Sequence, residues 1–161
     1  MEKRIYTIAA NTPVAPAVYR LELTSDGVPG LRAGQFVEVA VPGKYLRRPL
    51  SVSLSEPGRL TLLYKVVGGG TAALAAMEPG AELELLTCLG NGFDIEACRE
   101  KALLIGGGIG VAPLHQLCRD LRAAGKQVWA ILGFNTASEL ILRDELEALG
   151  ATVHVATMDG S

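Results

Sequence analysis

Apolar residues in this chain keep two different rhythms, and the change falls near residue 100. Before it they alternate with polar neighbours: Leu21 and Leu23 within residues 20–24, Val37, Val39 and Val41 on one face, then residues 60–67 and 82–86. Turn dipeptides Asp26-Gly27, Pro29-Gly30, Pro42-Gly43, Pro57-Gly58 and Pro79-Gly80 fall between these runs. Short alternating strands punctuated this way predict an antiparallel β-barrel over residues 1–100.

After Glu100 the order becomes strand, glycine loop, helix. Residues 102–105 are apolar, Gly106-Gly107-Gly108-Ile109-Gly110 follows, and Val111, Leu114, Cys118 and Leu121 then mark one helix face, closed by Gly125. Residues 128–132 read as a second strand. Thr136 with Glu139 three residues on has the form of a capping box for a helix carrying Leu142, Leu146 and Leu149, ended by Gly150. Residues 152–156 make a third strand. The second half, residues 101–161, is thus βαβαβ, a truncated Rossmann-like parallel-sheet domain. It amounts to half of a doubly wound sheet, which predicts an apolar strand edge in need of cover from further sequence or a partner.

Composition narrows the function classes. Fifteen Lys and Arg against seventeen Asp and Glu give a net charge of −2, so no basic field favours nucleic acid or an anionic membrane. The longest nearly apolar run, residues 102–114, is broken by four glycines and falls short of the ~20 residues a spanning helix needs. The amino terminus has too brief an apolar patch for a secretory leader, and the cytoplasm is the expected location. Cys88, Cys98 and Cys118 are odd in number and lack close metal-ligand spacing, so they are expected to be reduced thiols with no metal site. His115 and His154 have no acidic or Cys neighbour and are expected to be structural, and Trp129, inside an apolar run, to be core.

Three segments carry chemistry. Arg47-Arg48-Pro49-Leu50-Ser51 sets a guanidinium three residues from a hydroxyl on a strand whose Pro requires an edge or a bulge. Such a pair could hold a phosphate and a ring nitrogen, or be a solvated Arg pair ending a loop. Gly68-Gly69-Gly70-Thr71 precedes an alanine-rich helical turn with Thr71 as candidate N-cap, either a phosphate cradle or a flexible loop. Residues 106–113 follow a strand and open a helix, the setting of a dinucleotide site. Read from Gly106, however, a G-x-G-x-x-G frame ends on Val111, and no acidic residue closes the second strand. Glycine there could equally serve close strand–helix packing.

Taken in order, RRPLS, LLYKVVGGGT, LGNGF, GGGIGVAP and a final DGS resemble the ferredoxin–NADP reductase superfamily along the whole chain. RRPLS and LLYKVVGGGT resemble, more narrowly, the electron-transfer subunits of dihydroorotate dehydrogenase B. The resemblance implies an FAD-binding barrel followed by a partial NAD-binding domain. It implies that Arg48 meets the FAD diphosphate and that Ser51, at the end of Arg48-Pro49-Leu50-Ser51, lies near flavin N5 as the residue closest to the chemistry. Leu63, Tyr64, Lys65, Gly70 and Thr71 would supply further FAD contacts, while Gly107, Gly108, Ile109, Gly110 and Pro113 would face the NAD diphosphate. The implied activity is electron transfer between NAD(H) and an FMN-containing dihydroorotate dehydrogenase catalytic subunit in pyrimidine biosynthesis, within a hetero-oligomer. Family members carry a cysteine-rich 2Fe-2S segment that this sequence lacks, so the resemblance implies a subunit truncated before it. Two other readings stay open: a ferredoxin-reductase-like subunit of another NAD(P)H-dependent flavoenzyme, and a nucleotide-binding module without turnover.

Overall fold

In the computed structural model, which describes residues 1–161, the alternating half closes on itself. Six strands, β1 (Glu2–Ala15), β2 (Val18–Thr24), β3 (Phe36–Ala40), β4 (Arg48–Glu56), β5 (Arg59–Lys65) and β6 (Glu82–Leu89), form a barrel in the order β1-β2-β5-β4-β3-β6. Every pairing is antiparallel. Period-two alternation sends Leu21, Leu23, Val37, Val39, Leu60 and Leu62 inward, all fully buried, and closure gives every strand a partner on both sides. The helix α1 (Gly69–Ala75) packs Leu74 into the same core, and its end is tied to β1 by Asn11, whose amide donates to the carbonyls of Leu74 and Met77.

The strand β1 has no alternating signature because Asn11, Thr12 and Pro13 look like a turn. Those residues nonetheless pair in register with Leu21, Arg20 and Tyr19 of β2, flanked by register shifts between Ile8 and Ala10 and between Pro13 and Ala15.

The second half forms a three-stranded parallel sheet in the order β7-β8-β9, with β7 at Lys101–Gly107, β8 at Gln127–Phe134 and β9 at Thr152–Thr157. Between β7 and β8 come a 3-10 turn (Gly108–Val111) and the helix α2 (Leu114–Ala123). Val111 therefore precedes the α-helix rather than opening it, yet it is fully buried with Leu114, Cys118 and Leu121 as the spacing predicts. Between β8 and β9 the expected capping box does not form. Residues Ala137–Glu139 make a 3-10 turn, the Thr136 hydroxyl meets that of Ser138, and the helix α3 (Arg143–Ala148) begins only after Leu142, at φ 65°. Ile141 and Leu142, in the irregular segment between the turn and the helix, are both buried in the core.

The helices α2 and α3 cover the face of the sheet that carries Leu104, Ala130 and Leu132. The opposite face is open, with Leu103 58%, Ile105 68% and Ile131 37% exposed. Trp129 alternates onto this open face beside them. It is half-buried, with the Lys101 ammonium 5.9 Å from its ring centroid, so it is not the core residue that its apolar neighbours suggest. No helix is long and apolar enough to cross a membrane.

One helix joins the two halves. Leu117, Cys118 and Leu121 of α2 pack into the sheet's core, which also takes in Val18, Ala33 and Leu63 from the barrel. Its other side meets β4. The fully buried Gln116 accepts from the Ser55 N–H at 2.8 Å and donates to the Leu31 carbonyl, and Arg119 donates to the Ser55 carbonyl at 3.1 Å. Replacing Gln116 by Leu would strand a buried donor and a buried acceptor. The unfolding free energy is expected to fall by about 2–4 kcal/mol, measured by urea denaturation, and an unchanged midpoint would show that the clamp does not hold the halves together.

Candidate functional site

The open stretch of the barrel wall lies at the start of β4. Arg48 and Pro49 pair with Val39 and Glu38 of β3, but pairing with β5 begins only at Val52. Pro49 therefore sits where its strand has a single neighbour, the edge-like position that its missing N–H demands. The gap opens into a cleft of about 410 Å³ that brings Arg48, Pro49, Leu50 and Ser51 together with Leu63, Tyr64, Lys65, Val67, Thr71, Ile109 and Gly110.

Arg48 is the charged feature of this cleft. Its guanidinium donates to the carbonyls of Leu46 (2.8 Å) and Arg47 (3.3 Å) and has no carboxylate partner. Neighbouring Arg47, by contrast, is paired with Glu84. The Arg48 side chain lies close against Gly70, where a Cβ would stand 1.9 Å from its Nε and 2.2 Å from its Nη2. Only glycine at 70 permits this seat. Thr71 is the third residue of α1 and not its N-cap; its hydroxyl accepts from the N–H groups of Val67 (2.9 Å) and Gly68 (3.2 Å) and so fixes the preceding loop. Ser51 is exposed at the cleft, whereas Tyr64 is 1% exposed and donates its hydroxyl to Asn11 at 3.0 Å. Tyr64 thus adjoins the cleft while its polar end is spent inside the barrel.

A second opening, about 480 Å³, lies at the carboxyl ends of the parallel strands, where open α/β sheets take their ligands. Gly107, Gly108, Gly133, Asn135, Glu139 and Thr157 contribute to it, together with Phe134, Ala156 and Met158. The glycine loop therefore runs between two openings, with Ile109 and Gly110 on the barrel side and Gly107 and Gly108 on the sheet side. Both meanings of its glycines are realised. A Cβ on Gly106 would come within 2.8 Å of the Leu114 side chain, so that glycine serves packing, while Gly108, at φ 52°, faces open space. Pro113 lines neither opening and precedes α2 directly.

Several positions were not legible. Asn135 and Glu139 enter the crevice although no acidic residue closes β8 itself, because the 3-10 turn after it carries Glu139 back to the strand ends. The LGNGF motif is a brace: the Phe93 N–H donates to the Ala33 carbonyl at 2.7 Å, and Gln35 donates to the Gly90 carbonyl at 2.9 Å. His115 stands 3.5 Å from the buried Ser53 hydroxyl on β4, and burial pushes its pKa down. His154 is exposed. The three cysteines are free thiols, and no group of three or more His, Cys, Asp or Glu is arranged to hold a metal ion.

Residues 104–157 match the oxidoreductase NAD-binding domain family. The electron transfer subunit of dihydroorotate dehydrogenase B (NAD(+)) from Bacillus caldolyticus is 42% identical over 163 residues, covering 96% of this chain and 63% of that protein. Its Streptococcus mutans counterpart is 38% identical over 165 residues, covering 99% and 64%. The chain thus spans somewhat less than two thirds of the length of these curated relatives. Among solved structures, an NADH-dependent reduced ferredoxin-NADP oxidoreductase is 32% identical with a TM-score of 0.87, over 97% of this chain and 57% of that one. Phthalate dioxygenase reductase, 24% identical with a TM-score of 0.86 over 99% of this chain and 53% of its own, shares the fold.

Burial beside the cleft has a consequence in alkali. It pushes the Tyr64 pKa up from 10.0 to about 12. The native state then holds a proton that the unfolded chain releases, so the stabilisation is complete below pH 10 and is lost as pH rises toward 12. Wild type is expected to lose about 2–3 kcal/mol more than Tyr64→Phe between pH 9 and 12, read from denaturant unfolding. Parallel losses in the two proteins would mean that the buried hydroxyl does not titrate late.

Proposed function

We propose that the chain is an electron-transfer subunit of the dihydroorotate dehydrogenase B kind, with the ferredoxin-reductase-like fold, and that it binds FAD in the barrel-side cleft and NADH in the sheet-side crevice. The observation that carries this reading is the Arg48 guanidinium, unopposed by any carboxylate and seated on Gly70 beside the start of α1. A cation built into a cleft wall without a counter-ion suits a diphosphate, and the backbone N–H groups at a glycine-opened helix start would add to it. Bound flavin would supply hydride acceptance and one-electron donation, which no side chain of this chain can do.

The chain's own part is positioning. Arg48 would hold the FAD diphosphate, aided by Gly70 and the loop that Thr71 fixes. Pro49 and Leu50 would present Ser51, whose hydroxyl is available to the flavin's reactive edge. Leu63, Tyr64 and Lys65 would form the strand behind the ring. Gly107 and Gly108 would admit the dinucleotide diphosphate close to the backbone, with Ile109 and Gly110 carrying the nicotinamide side toward the flavin and Pro113 setting the helix start behind them. Hydride arrival and electron departure would then use opposite sides of one glycine loop.

The relatives are named as subunits, which supports a hetero-oligomer with a dehydrogenase subunit, an FMN-bearing one on the family's pattern. The three free cysteines stand apart and do not fit an iron–sulfur cluster. The 32% identity to a reduced ferredoxin-NADP oxidoreductase favours a second reading, a subunit of another NAD(P)H-linked flavoenzyme. Identification of the co-purifying dehydrogenase separates the two.

Arg48→Ala and Gly70→Ala are each expected to weaken FAD by roughly tenfold to a hundredfold, the worth of one charge-assisted phosphate contact. The double variant should be little worse than either, since both lose the same seat. Flavin fluorescence titration measures this, and an unchanged dissociation constant in Arg48→Ala would remove the cleft from the reading. Gly108→Val should retain flavin yet lose bleaching by NADH, because its side chain would grow into the crevice; loss of flavin instead would exchange the two assignments.

A further inference from the structure

Two ion pairs cross between the barrel and the sheet, and their surroundings differ. Arg20 and Glu145 meet in a hollow walled by Val14, Leu140 and Arg143, apart from both openings. Lys65 Nζ and Glu139 Oε1 lie 3.8 Å apart where the two openings adjoin, Lys65 lining the barrel-side cleft and Glu139 the sheet-side crevice. Glu139 is also held from its own side, its other carboxylate oxygen accepting from the Asn135 amide at 2.9 Å. Lys65 has no other polar partner.

The distribution of cations gives this pair its meaning. No Lys or Arg lines the crevice, and the cleft has only Arg48 and Lys65. With Arg48 committed to the flavin, Lys65 is the cation left, among those lining either opening, for a second diphosphate lying between crevice and cleft. In the free protein that cation is already engaged by a carboxylate. Both partners are partly exposed, with 37% and 22% of their side-chain surfaces accessible, so the pair is weak and readily exchanged.

We propose that Glu139 is an internal competitor for Lys65: it holds the ammonium across the domain boundary in the free protein and yields it to the diphosphate of an entering dinucleotide. This rests on the assignment of the crevice to NADH. The pair then limits how tightly the dinucleotide is held, and re-forms as product leaves. Glu139 and Lys65 are positioning residues here, acting on binding and release and not on hydride transfer itself.

The test uses ADP-ribose, which carries the diphosphate without a reducible ring, titrated by calorimetry into the FAD-loaded chain. Glu139→Gln is expected to tighten ADP-ribose several-fold and Lys65→Met to weaken it about tenfold, one charge-assisted contact. In the Lys65→Met background, Glu139→Gln should change the affinity less than about twofold, because the competition has lost its object. Glu145→Gln, which breaks the other tie, should leave ADP-ribose affinity unchanged. Weaker binding in Glu139→Gln would make the carboxylate a direct ligand contact and overturn the exchange. Equal tightening with or without Lys65 would reduce Glu139 to simple repulsion and overturn it as well. If wild type retains FAD but neither binds ADP-ribose nor is bleached by NADH, the crevice assignment itself fails and takes the exchange with it.

Discussion

The architecture depends on one helix that satisfies two incompatible surfaces. Along α2, Leu117, Cys118 and Leu121 face an apolar sheet, while His115, Gln116 and Arg119 face the polar edge of β4. A buried glutamine amide is costly unless both of its ends are paired, and it is paired here only when the Ser55 N–H and the Leu31 carbonyl are both in place. Hydrophobic burial brings the two halves together without choosing an angle between them; directional bonds choose it, and the buried amide is the one of them shielded from water. Because the glycine loop leads into this helix within a few residues, fixing the helix fixes the loop.

That placement divides the chemistry. On the barrel side stands an Arg without a counter-ion, held close by the absence of a side chain at Gly70. On the sheet side the lining has no cation, and its one charged side chain is Glu139. Two diphosphates bound side by side would repel each other, so an architecture that serves both must hold them by different means. Under the proposed function the flavin would rely on a guanidinium, while the dinucleotide would rely on backbone N–H groups and a lysine shared with Glu139. The mobile ligand would then be held more loosely than the resident one.

Much of this was legible because its causes are local. Alternation at Leu21, Leu23, Val37 and Val39 marks a barrel wall, and Val111, Leu114, Cys118 and Leu121 mark a helix face, since burial on one side imposes a period that tertiary context does not disturb. The strand β1 is hidden because Asn11 and Pro13 pair in register with Leu21 and Tyr19, a ladder that their propensities deny. Thr136 and Glu139 satisfy a capping pattern, but the Glu139 carboxylate meets Asn135 and Lys65 instead, and the helix starts only after Leu142. Gln116 carried no signal, since nothing in a sequence says which polar residue of an amphipathic helix will meet a strand remote in the chain. The site followed the same division: the motifs announced themselves, and the contacts between them did not.

Under the proposed function, one glycine loop separates two ligand sites that are filled together. Equilibrium dialysis of the FAD-loaded chain against NAD+ tests it most directly, with flavin and nicotinamide counted on both sides of the membrane. One NAD+ is expected to bind for each flavin retained, with none of the flavin released. Release of flavin in step with NAD+ uptake would show that the two compete for a single cleft, and would contradict it.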